Sequence, residues 1–454
     1  MRRILTLFGA ALLMAGCSVY RPYVRPAVQA DGLYGPGVAQ GDTDSIATLH
    51  WSELFTDPDL QALIRIGLEN NTDLAVARLR VEQAEATLMA SRLAYLPSAT
   101  LSPQGQLSSF DGSKPAKTYN IGASAEWELD IFGRLTNSKR RAKAALLQSD
   151  AYRQAVQTQV VSAIANAYYN LLLMDTQLDI NRRTAAVWED NLRTYEARMR
   201  VGEANGAAVA QARASKLAVD AAILTLWKQV RAQENALSTL IGQMPQAIRR
   251  GTLAAQHFPD SLSVGVPLQL LARRPDIRQA EMALAQAHYA TGEARSAFYP
   301  RITLSGRAGW TNTDGSAIIN PGNWLLSALA GLTQPLFNRG QNIANLRIAK
   351  SQRQEALLQF RQSLLKAGAE VNDALSQWQT ARARIGVTGE QIASLEEAVK
   401  STASLMESST GASYIEVLTA RRDLLAAELA QVQDRFDEIQ GVISLYHALG
   451  GGGE

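Results

Sequence analysis

The sequence has 454 residues, 46% hydrophobic and 19% charged, which suits a folded chain with a sizeable core and excludes disorder. Formal charge is +3, and removing Arg2 and Arg3 with a leader segment takes it to +1, so the basic footprint of a nucleic-acid binder is missing. The single cysteine excludes an internal disulfide or a Cys-rich metal site.

In chain order, residues 1–16 read as a signal peptide. Arg2 and Arg3 form its basic start, Ile4 to Leu13 its apolar run, and Ala15-Gly16 the small residues ahead of Cys17. A cysteine at this point resembles a bacterial lipobox, in which the thiol is acylated. Met14 departs from that pattern, where lipoproteins have Leu. The alternative is a plain secretory signal followed by an incidental cysteine. Ser18 rather than Asp after Cys17 favours the outer over the inner membrane by the family rule. Past residue 17 no run is long and apolar enough for a membrane-spanning helix, so any crossing must use β-strands.

The chain is a tandem duplication. Asp73 and Pro97 recur as Asp276 and Pro300, 203 residues later. Asp130-Ile131-Phe132-Gly133-Arg134 matches Pro335-Leu336-Phe337-Asn338-Arg339 at an offset of 205, and Val209 with Ala212 matches Val417 with Ala420 at 208. The expected plan is an anchored N-terminal segment at 17–70, a first repeat at 71–242, a linker at 243–268 rich in Pro and Gly, a second repeat at 269–449, and a flexible tail at 450–454.

Each repeat holds a medium helix, a β-like stretch, a very long helix, a tight turn and a return helix. Residues 134 to about 200 contain no Pro or Gly and carry Val156, Val160, Ile164, Tyr168 and Leu171 at helical spacing. That length corresponds to roughly 100 Å of helix, which suits a coiled coil or tube. The second half repeats it from about Gln341 to Ser408. The turns fall at Gly202–Gly206 and near Gly411 and Ser413; the returns run over 207–241 and 414–449.

The β-like stretches lie at about 98–131 and 301–336. From Tyr119 to Ile131 apolar and polar residues alternate strictly; Glu126, Glu128 and Asp130 fall on the polar side. Ile302 to Trp310 alternate likewise, with Arg307 on the polar side, and residues 324–336 do so least cleanly. Four strands of this length span an outer membrane when tilted but cannot close a barrel. Two chains would give a filled barrel, and three a barrel with a lumen. A soluble hairpin pair capping a coiled coil would show the same alternation. Phe110, Tyr119, Trp310 and Trp324, near strand ends, favour the membrane.

Strand pairs between long helices, duplicated behind a lipobox, resemble the outer membrane factor family of TolC-like channels, in its lipidated OprM/NodT-like branch. The motifs that carry this are Trp51-Ser52-Glu53-Leu54-Phe55 with Asp57-Pro58-Asp59-Leu60, Arg274-Pro275-Asp276-Ile277 with Ala280-Glu281, Phe298-Tyr299-Pro300, Gln334-Pro335-Leu336-Phe337, and Ser413 to Ala420. They cover roughly residues 50 to 449. The resemblance implies a mostly α fold with a membrane β part, completed by a homotrimer as a twelve-stranded barrel on an α-barrel. It implies a passive duct exporting small molecules from a periplasmic adaptor and an inner-membrane pump of the resistance-nodulation-division type. The helix tips would dock the adaptor through Gly202, Gly206, Gly411 and Ser413. Acidic residues after the second tip would ring the closed aperture; Glu416 takes one such position, and Thr419 stands where relatives often have Asp. The structural alternative for Glu416 is an exposed helix-start carboxylate.

Nothing points to an enzyme or cofactor. His50, His257, His288 and His447 lack ligand spacing, and no phosphate loop or nucleophile elbow appears. The acidic set Glu126, Glu128 and Asp130 reads as a lumen wall in preference to a metal or glycosidase pair, with Arg301 and Arg307 in the same role. A protein-secretion duct and an anchored coiled-coil scaffold without a pore remain the alternatives.

Overall fold

The computed structural model describes residues 21–27, 49–258, 274–312, 323–407 and 414–451. Among them the order is α1 (Trp51–Leu54), α2 (Pro58–Asn70), α3 (Thr72–Leu93), β1 (Ser98–Ser108), β2 (Ala116–Leu129), α4 (Arg134–Arg200) and α5 (Gly206–Leu240). A 3-10 turn at Leu253–Ala255 precedes α6 (Pro275–Ser296), β3 (Arg301–Asn312), β4 (Asn323–Thr333), α7 (Gln341–Glu407) and α8 (Tyr414–Ala448).

The helices that follow the repeat match in length between the two halves. Helices α3 and α6 each have 22 residues, α4 and α7 each 67, and α5 and α8 each 35. The chain enters each long helix through a glycine in the left-handed region, Gly133 at φ 73° and Gly340 at φ 75°. A side chain at either position would strain the sharp turn that starts the helix.

The chain separates into two compact units. One contains residues 1–28, 78–152 and 276–363, which include the sheet. Its strands pair antiparallel in the order β1-β2-β3-β4. Residues 21–27 pack on α6: Arg25 grips Glu281 with two guanidinium nitrogens, the Nε–Oε1 distance being 2.7 Å. The Tyr23 amide donates to the Tyr289 hydroxyl at 3.2 Å, and His288 Nε2 donates to the Arg21 carbonyl at 3.1 Å. Burial, and then the Glu281 charge, push the Tyr23 phenol up to about 12.

The other unit contains residues 29–77, 153–275 and 364–454. Phe55, Leu60, Ile64, Tyr168, Leu171 and Tyr446 are fully buried there. Each such side chain contributes about 1.5–3 kcal/mol by leaving water. Asp57 organises this core: its Oδ1 caps α2 by accepting from Asp59 N at 2.9 Å, with Pro58 preset at the first helical position. Its Oδ2 accepts from the Tyr168 hydroxyl and from Gln256 Nε2, both at 2.8 Å. Gly67 lets α2 approach α4, since a Cβ there would stand 2.3 Å from Ile164 Cδ1.

The boundaries differ from expectation in two places. The strands stop at Leu129 and Thr333, short of 131 and 336. The N-terminal segment at 17–70 contains α1 and α2, which bury Trp51, Leu54, Leu60 and Ile64. Of the expected linker, residues 259–268 lie outside the described residues, as do the leader, Cys17 and residues 452–454.

Candidate functional site

Pairing register assigns every strand residue to one of two faces. Ser124 pairs with Arg307, Glu126 with Ser305 and Glu128 with Thr303, so these six share a face. Thr100, Ser102 and Gln104 of β1 join it through Ser124, Gly122 and Asn120. The opposite face carries Leu101, Leu107, Ile121, Trp127, Leu304, Leu326 and Leu332. Its leucines lie bare in the single chain, Leu326 at 86% and Leu101 at 70% exposure. Trp310 and Trp324 pair across β3 and β4 on this face, with ring centroids 5.3 Å apart. In β4 the division weakens, because Leu325 and Leu329 sit on the polar side.

Strands β1 and β4 each have one neighbour, so one edge of each strand is open within the chain. No described helix is long and apolar enough to cross a membrane.

Where the sheet meets the helices of its own unit, a cavity of about 500 Å3 is lined by Glu126, Glu128, Asp130, Arg134, Glu293 and Arg301, among others. Glu128 receives Arg134 in a two-pronged pair at 2.6 and 2.7 Å, and Arg301 Nε lies 3.9 Å away. Asp130, expected on the barrel wall, is past the end of β2. Its Oδ1 accepts from Leu135 N at 2.9 Å and its Oδ2 from Thr136 N at 2.7 Å. It satisfies orphan amides at the start of α4, where the helix dipole also favours a carboxylate. Phe132 and Tyr299 stack at 5.0 Å, nearly parallel. Burial raises the Glu293 carboxyl although Arg141 lies 3.1 Å from it.

At the first tip, Gly202 takes φ 79° and Asn205 Oδ1 accepts from Ala208 N at 3.0 Å, capping α5 at its first residue, Gly206. Gly411 and Ser413 of the second tip lie outside the described residues. Glu416 and Thr419 are exposed at the start of α8. Behind them Trp188, Tyr195, Val209, Ala212, Val219 and Leu418 form a buried cluster against which Tyr414 packs. Arg421 was not anticipated: it is half-buried there, and desolvation lowers its pKa. As an arginine five residues after Glu416 it carried no signal beyond helical polarity.

A family model described as outer membrane efflux protein matches residues 63–243 and 266–451, one match for each repeat. The cation efflux system protein CusC of Escherichia coli K12 is 31% identical over 98% of this chain and 98% of its own. The solvent efflux pump outer membrane protein SrpC of Pseudomonas putida is 30% identical over 98% and 97%. A crystal structure of CusC superposes with a TM-score of 0.83 at 29% identity, covering 95% of this chain and 99% of that one.

Proposed function

The chain belongs to the outer membrane efflux protein family, and we propose that three copies of it close one twelve-stranded barrel on a helical duct. It is an outer-membrane channel subunit of a tripartite efflux system. The observation that carries the trimer is the four-stranded sheet with two open edges, one apolar face and one polar face. An open edge in lipid leaves backbone groups unpaired at several kcal/mol each, so other copies must supply the missing neighbours. Three copies are the smallest set that leaves a lumen. Leu101, Leu304, Leu326 and Leu332 then meet lipid, and Glu126, Glu128, Arg301 and Arg307 line the wall.

The anchor is an acyl chain on Cys17. Docking of residues 21–27 on α6 supports this reading, because it holds the chain four residues beyond that cysteine. The helix tips receive an adaptor and an inner-membrane pump, and Glu416 with Thr419 lines the aperture behind them. Three Glu416 carboxylates around a narrow axis attract cations and repel one another. The cargo is a small molecule or ion; CusC and SrpC are named for cations and solvents respectively.

Cysteine labelling tests the wall. In outer-membrane vesicles, Ser124→Cys and Ser305→Cys react with a small aqueous maleimide, while Leu304→Cys and Leu326→Cys are shielded from it. Equal labelling of both faces would favour a soluble scaffold.

A further inference from the structure

Helix α4 leaves the sheet with charge of one sign. From Arg134 to Ser149 it carries Arg134, Lys139, Arg140, Arg141 and Lys143 and no acidic residue, and both signs occur from Asp150 onward. Arg134 and Arg141 are paired with Glu128 and Glu293. Lys139, Lys143 and Arg92, in the last turn of α3, differ from them: no carboxylate pairs with any of the three among the described residues. Arg92 and Lys143 are exposed, and Lys139 is half-buried.

An aromatic pair ties these cations to the apolar face of the sheet. Trp127, on that face of β2, donates its indole N–H to the Tyr95 carbonyl oxygen at 2.8 Å. Lys139 Nζ lies 4.8 Å over the Tyr95 ring. The ring is held in place, because the Tyr95 hydroxyl donates to Thr136 Oγ1 at 3.0 Å while the Thr136 hydroxyl donates to Asp130 Oδ2 at 2.6 Å. Arg92 precedes Tyr95 by three residues and Lys143 follows Lys139 by four, spacings that keep each pair on one side of its helix. Since α3 runs toward the sheet and α4 away from it, Arg92 and Lys143 both stand about one turn beyond the Tyr95–Lys139 contact. Leu93 and Leu96, next to Tyr95, are 53% and 62% exposed. The second repeat lacks this arrangement: aligned on Gly133 and Gly340, Leu346 replaces Lys139, and Phe298 replaces Tyr95.

We infer that Arg92, Lys139 and Lys143 dock the phosphate headgroup of an anionic phospholipid in the periplasmic leaflet, with Leu93 and Leu96 against its acyl chains. The inference rests on the reading that the apolar sheet face meets lipid. Tryptophan and tyrosine side chains mark the membrane boundary, and basic residues just outside it meet headgroups. A phosphodiester offers acceptor oxygens and no donor, which suits an ammonium and a guanidinium whose charge no carboxylate answers. The surface is continuous with the lipid-facing side of β2 through Trp127, so a bilayer lipid is the occupant already in place there.

Native mass spectrometry tests this on the full-length mature protein, taken into mild detergent from nanodiscs of equal phosphatidylglycerol and phosphatidylcholine. Retained phosphatidylglycerol should exceed phosphatidylcholine by at least about tenfold. The triple variant Arg92→Gln, Lys139→Gln, Lys143→Gln should bring the two lipids level. Removing as many charges from α7, with Arg347→Gln, Lys350→Gln and Arg353→Gln, should leave the preference intact. If the first triple variant melts early, Lys139→Leu decides, with a severalfold loss of preference expected. No preference in the wild type, equal loss in both triple variants, or an unchanged preference in Lys139→Leu would overturn the headgroup site. Equal maleimide labelling of both sheet faces would remove the lipid reading itself. Labelling that separates the faces, with no preference for phosphatidylglycerol, removes the headgroup site alone.

Discussion

Arg274 Nη1 donates to the carbonyl oxygen of Ala448 at 2.6 Å, joining the residue before α6 to the last residue of α8 across 174 positions. The first half has its counterpart: Asn71 Nδ2 donates to the Leu240 carbonyl at 2.8 Å, joining the start of α3 to the end of α5. Helix C-termini leave carbonyls unsatisfied, and here the residue just ahead of an earlier helix of the same repeat supplies the donor. Each repeat thereby links a 35-residue helix end to a 22-residue helix start, beside one unbroken helix of 67.

Loss of this link is costly. Arg274 is 6% exposed at its side chain and also pairs with Glu370, so Arg274→Met should lower stability by about 2–4 kcal/mol, as hydrogen bonds to charged groups are worth about 1.5–3 each. Arg274→Lys should recover only part, because a point charge cannot serve two partners in a fixed fork. Denaturant melts in detergent check both, and an Arg274→Met curve matching wild type contradicts the link.

Asp434 is fully buried, its oxygens make no hydrogen bond, and Arg384 at 2.7 Å is its ion-pair partner. Arg384→Met strands that carboxylate and should cost about 3–5 kcal/mol. Adding Asp434→Leu should restore most of the loss, so the double variant melts above the single. An additive double variant would show that the two residues do not interact.

Glu293 gives a pH signature. Burial raises its folded pKa, so the stability linked to its protonation is fully present below its unfolded pKa and lost as pH rises through the raised value. Glu293→Gln should therefore be more stable than wild type at neutral pH, with the difference fading in acid. Paired melts at neutral and acid pH read this directly; a difference that grows in acid has the wrong sign.

At the aperture, Glu416→Ala should reduce both the cation preference and the block by divalent ions in planar bilayers, with Thr419→Asp increasing them. Unchanged selectivity in both variants would leave Glu416 as an ordinary helix-start carboxylate.

Long-range order was readable wherever one residue type excluded an alternative. The stretch free of Pro and Gly marks α4 at both ends, and strict alternation marks β2. Asp130 misled because alternation of residue type continues past the residue at which the backbone leaves the strand. The same carboxylate serves a wall or a cap, and only the turn at Gly133 decides. Helix α2 had its marker in Asp57-Pro58, a capping residue before a helix-starting proline. Asp434 and Ser162 had none: polar residues on a long helix read as solvated until a neighbouring helix covers them.

The trimer is the central claim, and the native mass of the mature acylated protein in mild detergent tests it most directly. The account predicts three copies per particle, so that three four-stranded sheets meet edge to edge. A stable monomer or dimer would leave four or eight strands and contradict the duct.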